Sequence, residues 1–255
     1  MNTNRNTAAS FVGTCDQLLG FRITLSLLIY VFVQGCAPSL VSMDRSELEQ
    51  LKYQPLIHVV HYPPPLLEAW TFEAGLAGDV FIPFGILGGV VGGFAGHAAH
   101  QAAGEKLKKQ CSLEDPSLRV REKVIKSLSS EIGIENFRLV SELLESDEID
   151  ALRSKFGDAL VMDFKPLGWG LLIEPLSQWS TRRYYVSYHL QARFIRLRDS
   201  KVMWLGYAKF VESELFSTSS TWDELTENGC TLLKAKFGQA ADTSARQLAD
   251  QLWGK

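Results

Sequence analysis

The chain has 255 residues, of which 46% are hydrophobic and 22% charged, with a formal net charge of −3. Those proportions are globular and exclude a disordered chain. With no basic block anywhere, nucleic acid has no electrostatic footprint to bind, and neither does an anionic lipid surface.

Residues 1–22 carry only Arg5 and Arg22 against Asp16. The apolar run Ile23 to Val33 follows. It is too short to cross a bilayer, which takes about 20 residues, and it falls within the roughly 7–15 residues of a secretory h-region. It ends in Val33, Gln34, Gly35 and Cys36. These four residues resemble the lipobox of bacterial lipoproteins, with a branched aliphatic first and small Gly35 before the cysteine. Gln34 departs from the usual small or aliphatic residue. The resemblance implies a signal peptide over 1–35 and a diacylglyceryl-modified, N-acylated Cys36 that incorporates palmitate. One acyl chain binds membranes only marginally, whereas three anchor durably. Ala37, where inner-membrane retention would want aspartate, implies the outer membrane facing the periplasm. The long stretch before Arg22 leaves a start downstream of Met1, an uncleaved anchor and a buried helix open.

Cys15 leaves with such a leader and Cys36 carries lipid, so Cys111 and Cys230 remain as an even pair in an oxidising compartment. A bridge would close a long loop, worth about 4–5 kcal/mol in the chain-entropy model. Two buried free thiols are the alternative.

Residues 36–74 read as a tether, weakly helical around Asp44 to Lys52. A short strand over Leu56 to Tyr62 is stopped by Pro63, Pro64 and Pro65, which cannot donate to a ladder. Residues 75–110 form a glycine-rich helical segment. Gly85, Gly89 and Gly93 recur every four residues, as do Gly88, Gly92 and Gly96. On a helix the two rows merge into one smooth face. Each glycine costs about 0.8–1 kcal/mol against alanine, so a close contact must offset the sum. A glycine-zipper face packing in a membrane or between copies supplies one such contact; packing within the fold or a mobile loop are the other readings.

Residues 111–255 follow an α/β pattern. Asp115 and Pro116 start a helix that Gly133 ends. Ser146 or Asp147 caps a second helix, closed at Gly157. The acidic residues Glu145, Asp147, Glu148 and Asp150 complement its dipole rather than hold a metal. Residues 159–164 and 169–173 read as strands about a turn at Pro166 to Gly168. Tyr184 to Leu197 alternates strictly, with Tyr184, Val186, Tyr188, Leu190, Ala192 and Phe194 on one face. Arg198 to Lys201 makes a turn and Val202 to Val211 returns. Thr221 to Glu224 fits a capping box before a helical region that breaks near Gly238 and runs to about Trp253. The expected fold is therefore α/β (α+β), a mixed or mainly antiparallel sheet with a long hairpin over 184–211 packed by helices. The hairpin and helix are similar to periplasmic lipoproteins of the curli-secretion and TolB N-terminal type, which implies fold alone.

No catalytic constellation emerges. The glycines lack GxGxxG spacing, and Phe94 and Ala95 stand where a P-loop needs Lys and Ser or Thr. His58 and His61, three apart on a strand, fall on opposite faces. His97 and His100 share a helix face but have no third ligand nearby in sequence. The six tryptophans fit core and rim better than a ligand groove. The expected function is that of a lipid-anchored cell-envelope protein with a structural or interaction role, oligomeric through the glycine face or bound to another envelope component. It is expected to be neither an enzyme nor a cofactor or metal protein. A periplasmic small-molecule or glycan binder, or an enzyme with a scattered site, is the alternative.

Overall fold

The structure, a computed structural model, describes residues 41–70, 85–174, 182–212 and 219–254, and for Arg45 and 85–96 the backbone alone. Among the described residues are five α-helices and a seven-stranded mixed sheet. The helices are α1 (Arg45–Gln50), α2 (Gly85–Cys111), α3 (Pro116–Ile132), α4 (Ile149–Phe156) and α5 (Trp222–Leu252). The strands are β1 (Ile57–His61), β2 (Glu68–Ala69), β3 (Phe137–Leu139), β4 (Leu160–Ile173), β5 (Arg183–Arg196), β6 (Lys201–Val211) and β7 (Ser220–Thr221).

The main path through the sheet is β3-β1-β4-β5-β6. β1 runs parallel to β3 and β4, while β4, β5 and β6 are antiparallel. The two 14-residue strands outrun their neighbours. β2 therefore completes β4 at Gly170 and Leu171, and β7 completes β5 at Arg183 and Tyr184. The alternation read in β5 is realised: Tyr184 is 5% exposed and Val186, Tyr188, Leu190, Ala192 and Phe194 are fully buried. They face α3, α5 and the C-terminal half of α2 across the larger core. A smaller core lies on the opposite face, where Val60, Tyr62, Val161 and Ile195 meet Leu152 of α4.

Local signals set the helix starts. The Asp115 carboxylate accepts the Ser117 N–H (2.9 Å), Pro116 occupies the first turn, and Gly133 ends α3 at φ +76°. Val120, Val124 and Leu128, four apart, present one buried stripe. Thr221 and Glu224 exchange the reciprocal bonds of a capping box (3.3 and 2.8 Å). Ser146 does not bond into the first turn of α4; its hydroxyl accepts the Glu148 N–H (3.2 Å) just ahead of that helix.

Two sequence expectations are corrected. Pro166 to Gly168 is not a turn between strands. β4 runs straight through, with a register shift between Pro166 and Gly168. The bulge inserts one residue, so even-numbered Leu160, Met162 and Phe164 face the larger core before it and odd-numbered Trp169 and Leu171 after it. The other correction concerns α5, which does not break at Gly238. Its backbone leaves helical geometry at Glu227 to Cys230, with Asn228, Gly229 and Cys230 in the left-handed region. Gly238 is a packing glycine, because a Cβ there would come 3.2 Å from the Arg119 guanidinium. Arg119 crosses that spot to reach Asp242 (2.6 and 2.8 Å).

Gly104 carries the closest helix approach. A Cβ on it would lie 1.8 Å from the Leu67 carbonyl oxygen, a backbone atom that cannot swing away. Gly104→Ala should lower stability by about 1–3 kcal/mol, the usual cost of overpacking, despite the roughly 1 kcal/mol that alanine gains in helix propensity. A urea midpoint that drops at constant slope is the expected readout; an unchanged midpoint would show that the contact is not made.

Candidate functional site

The lipobox and Cys36 lie outside the described residues. Gly85, Gly88, Gly89, Gly92, Gly93 and Gly96 all lie on the helical backbone of α2. Among the described residues no helix is long and apolar enough to cross a membrane. The sequence-based site missed Gly104, although it continues the Gly88, Gly92, Gly96 row at twice the spacing. His100 occupies the intervening position, buried and stacked on Trp70 with ring centroids 4.4 Å apart.

Cys111 ends α2, and the left-handed residues of α5 deliver Cys230 to it. The two form a disulfide with Cα atoms 5.4 Å apart and a sequence separation of 119. Both are buried, at 2% and 1% exposure. Beside the bridge a cleft of about 580 Å³ opens between the start of α3 and the middle of α5. Leu113, Pro116 and Phe237 line it with Asp115, Arg119 and Lys234. Arg119 is held on Asp242, and Asp115 is spent capping α3 while burial pushes its carboxyl above the ordinary range.

Two polar clusters sit on the faces of the sheet. On the α4 face, Arg193 of β5 reaches Asp163 of β4 through Nε (3.0 Å), and the Tyr62 hydroxyl donates to the same carboxylate (3.0 Å). Asp163 is wholly buried. Burial drives its carboxyl upward, opposed by the bonds from Arg193 and Tyr62. Arg193 also donates to the Asp147 carbonyl (2.8 Å), while Lys165 pairs with the Asp147 carboxylate (2.8 Å). Asp147, read in sequence as a dipole partner of the helix, thus ties the α4 loop to the sheet. Its pKa lies below the usual carboxylate range although burial, the largest influence, raises it; the bond from Lys165 is the strongest of the charges and bonds that lower it. An Asp–Arg pair buried to this degree gives weak net stability, but loss of one partner leaves an uncompensated charge and costs about 3–5 kcal/mol.

On the other face of β1, Arg121 of α3 donates through Nη1 to His61 Nδ1 (2.9 Å). A guanidinium has no acceptor, so this nitrogen of His61 is unprotonated and the ring neutral. Burial, and then the Arg121 charge, hold its pKa below 6.5. His58 lies on the opposite face against Phe156, as the spacing of three required. His97 and His100 do not converge on a metal. His97 Nε2 meets Gln101 (2.9 Å) and its Nδ1 stands 3.6 Å from Glu68. Among the described residues no group of three or more metal-ligating side chains occurs. Trp169 and Trp204 are buried in the core, Trp222 and Trp253 pack at its margin, and Trp70 is 43% exposed; Trp179 is outside the described residues.

No protein-family model matches the sequence, and no curated protein matches it. Among solved structures, a neuraminyllactose-binding hemagglutinin homolog from Helicobacter pylori aligns over 78% of this chain and 83% of its own at 12% identity, TM-score 0.33. A PelC dodecamer from Paraburkholderia phytofirmans aligns over 82% and 95% at 9% identity, TM-score 0.29. Lipoprotein GNA1162 from Neisseria meningitidis aligns over 74% and 99% at 19% identity, TM-score 0.24. Scores of this size assign neither a family nor a function to this chain.

Reduction of the disulfide, or Cys111→Ala with Cys230→Ala, should cost up to about 5 kcal/mol, the chain-entropy value for a loop of this length. Mass spectrometry should find the two cysteines linked and refractory to alkylation before reduction. Alkylation of both in the native protein would contradict the bridge. His61 predicts a pH dependence as well. Its folded pKa is lowered, so its stabilising contribution is complete above 6.5 and is lost as the pH falls from there toward the folded value. The urea midpoint should drop over that window, and His61→Gln should lessen the drop without abolishing it, because burial lowers the pKa values of His58, His100 and His189 too.

Proposed function

We propose that the chain is a lipid-anchored interaction protein of the bacterial cell envelope. Acylated Cys36 holds it at the outer membrane with its α/β domain in the periplasm, and it serves a structural or partner-binding role rather than catalysis. The observation that supports this most is the Cys111–Cys230 disulfide. Such bridges belong to oxidising compartments, which is where the leader ending at Cys36 would deliver the domain. The use of ionisable groups inside the fold agrees. Asp163 with Arg193, and Glu212 with Lys236, are buried ion pairs that brace strands and helix. The glycine rows of α2 are the proposed face for self-association or for an envelope partner.

A second reading, capture of a periplasmic small molecule or glycan, draws on the cleft beside the disulfide, which sets Phe237 and Leu113 among charged side chains. Ligand sites are mostly apolar with a few placed polar groups; here Leu113, Pro116, Leu118 and Phe237 supply the apolar part.

Cys36→Ala should abolish palmitate labelling and release the protein from the membrane fraction. Labelling that survives the change overturns the anchor. In crosslinking of the membrane-attached protein, a monomer without partners would count against the interaction role and favour the cleft.

A further inference from the structure

The inference rests on lipid attachment at Cys36, and it concerns which side of the domain meets the lipid. The Val41 carbonyl accepts the Leu205 N–H (3.0 Å), an isolated antiparallel bridge on the outer edge of β6. Val41 lies five residue steps after Cys36. A chain advances at most about 3.5 Å per residue, so the acylated residue lies within roughly 18 Å of Val41 whatever path it takes. A domain of about 200 residues has a radius of gyration near 17 Å and hence a diameter of roughly 40 Å. The tether is shorter than the body it holds.

β6 ends the sheet path on one side and β3 on the other, four strand spacings away. At about 4.8 Å each, β3 stands roughly 19 Å from β6 across the sheet, whereas β6 is the strand that Val41 itself touches. We propose that the β6 edge, with the α5 residues beside it, faces the phospholipid surface, and that β3 is held away from it.

That edge is closed to a pairing strand, so a surface that needs no backbone bonds can lie against it. Gln251 accepts the Tyr207 N–H (3.0 Å) and donates to the Tyr207 carbonyl (2.7 Å). Gln247, one helical turn earlier, does the same for Lys209 (3.0 and 3.1 Å). With Val41 on Leu205, three successive outward-facing positions of β6 are closed to a further strand. An open edge would recruit another chain through its unpaired N–H and C=O groups; here the Leu205 N–H and both backbone groups of Tyr207 and Lys209 are bonded internally.

The test uses the lipidated full chain reconstituted in phosphatidylcholine vesicles that contain a lipid with a headgroup quencher. An environment-sensitive fluorophore is attached to Lys209→Cys on the β6 edge, Asp250→Cys beside Gln251, or Arg138→Cys on β3, all exposed positions. Fluorescence should be lost at 209 and 250 and retained at 138. A flexible Gly/Ser insertion of about 30 residues after Pro38, with a root-mean-square span of roughly 30 Å, should abolish the difference. Acylation of Cys36 is measured by mass on the same preparation. An acylated Cys36 with equal quenching at all three positions overturns the orientation and leaves the anchor standing. An unacylated Cys36 overturns both.

Discussion

Strand β5 is hydrogen-bonded along both of its edges, so β4 and β6 each fix its register. A slip of one residue would exchange its two faces, driving Gln191 and Arg193 into a core where Val186, Tyr188, Leu190, Ala192 and Phe194 are fully buried. Each large apolar side chain buried there contributes about 1.5–3 kcal/mol, so the alternative register is heavily disfavoured. The neighbours adapt to this strand. β4 takes a bulge at Pro166 to Gly168, and β6 shifts register against Phe194 and Ile195. Across the ladder, Phe164 stands opposite Ala192, which stands opposite Gly206. A Cβ on Gly206 would meet the Trp204 ring at 2.4 Å, so the small residue makes room for the largest side chain on the same face.

The opposite face is more polar and is organised by charge. Asp163 and Arg193 pair across β4 and β5, and Asp147 brings the loop before α4 onto the same guanidinium. A buried pair of this kind contributes little net stability against an apolar replacement, yet its partners demand one another. It therefore selects an arrangement, placing the α4 loop over β1 and β4 and nowhere else. His61 and Arg121 do the same for α3 on the other side of β1.

One covalent and one steric constraint then fix the periphery. The disulfide ties the end of α2 to the break in α5, and Gly104 lets α2 lie against the Leu67 backbone. α5 in turn closes β6 through two glutamines. The long helix thus links the crosslink, the core and the free edge of the sheet, which makes that edge a finished surface.

The sequence by itself determined what depends on neighbours along the chain. The caps of α3 and α5, the alternation of β5, the return strand β6 and the opposite faces of His58 and His61 all follow from repeat geometry and local hydrogen bonding. The lipobox resemblance at Cys36 is likewise a motif of consecutive residues. Pro166 and Gly238 misled because local propensity marks them as breaks. In place, one is absorbed by a bulge and the other by the passage of Arg119. Only tertiary structure decided that Asp163 is buried with Arg193, that Gly104 meets Leu67, and that Gln247 and Gln251 close β6. Each joins residues at least 30 positions apart, and no periodicity records which distant group will stand opposite once the chain has folded.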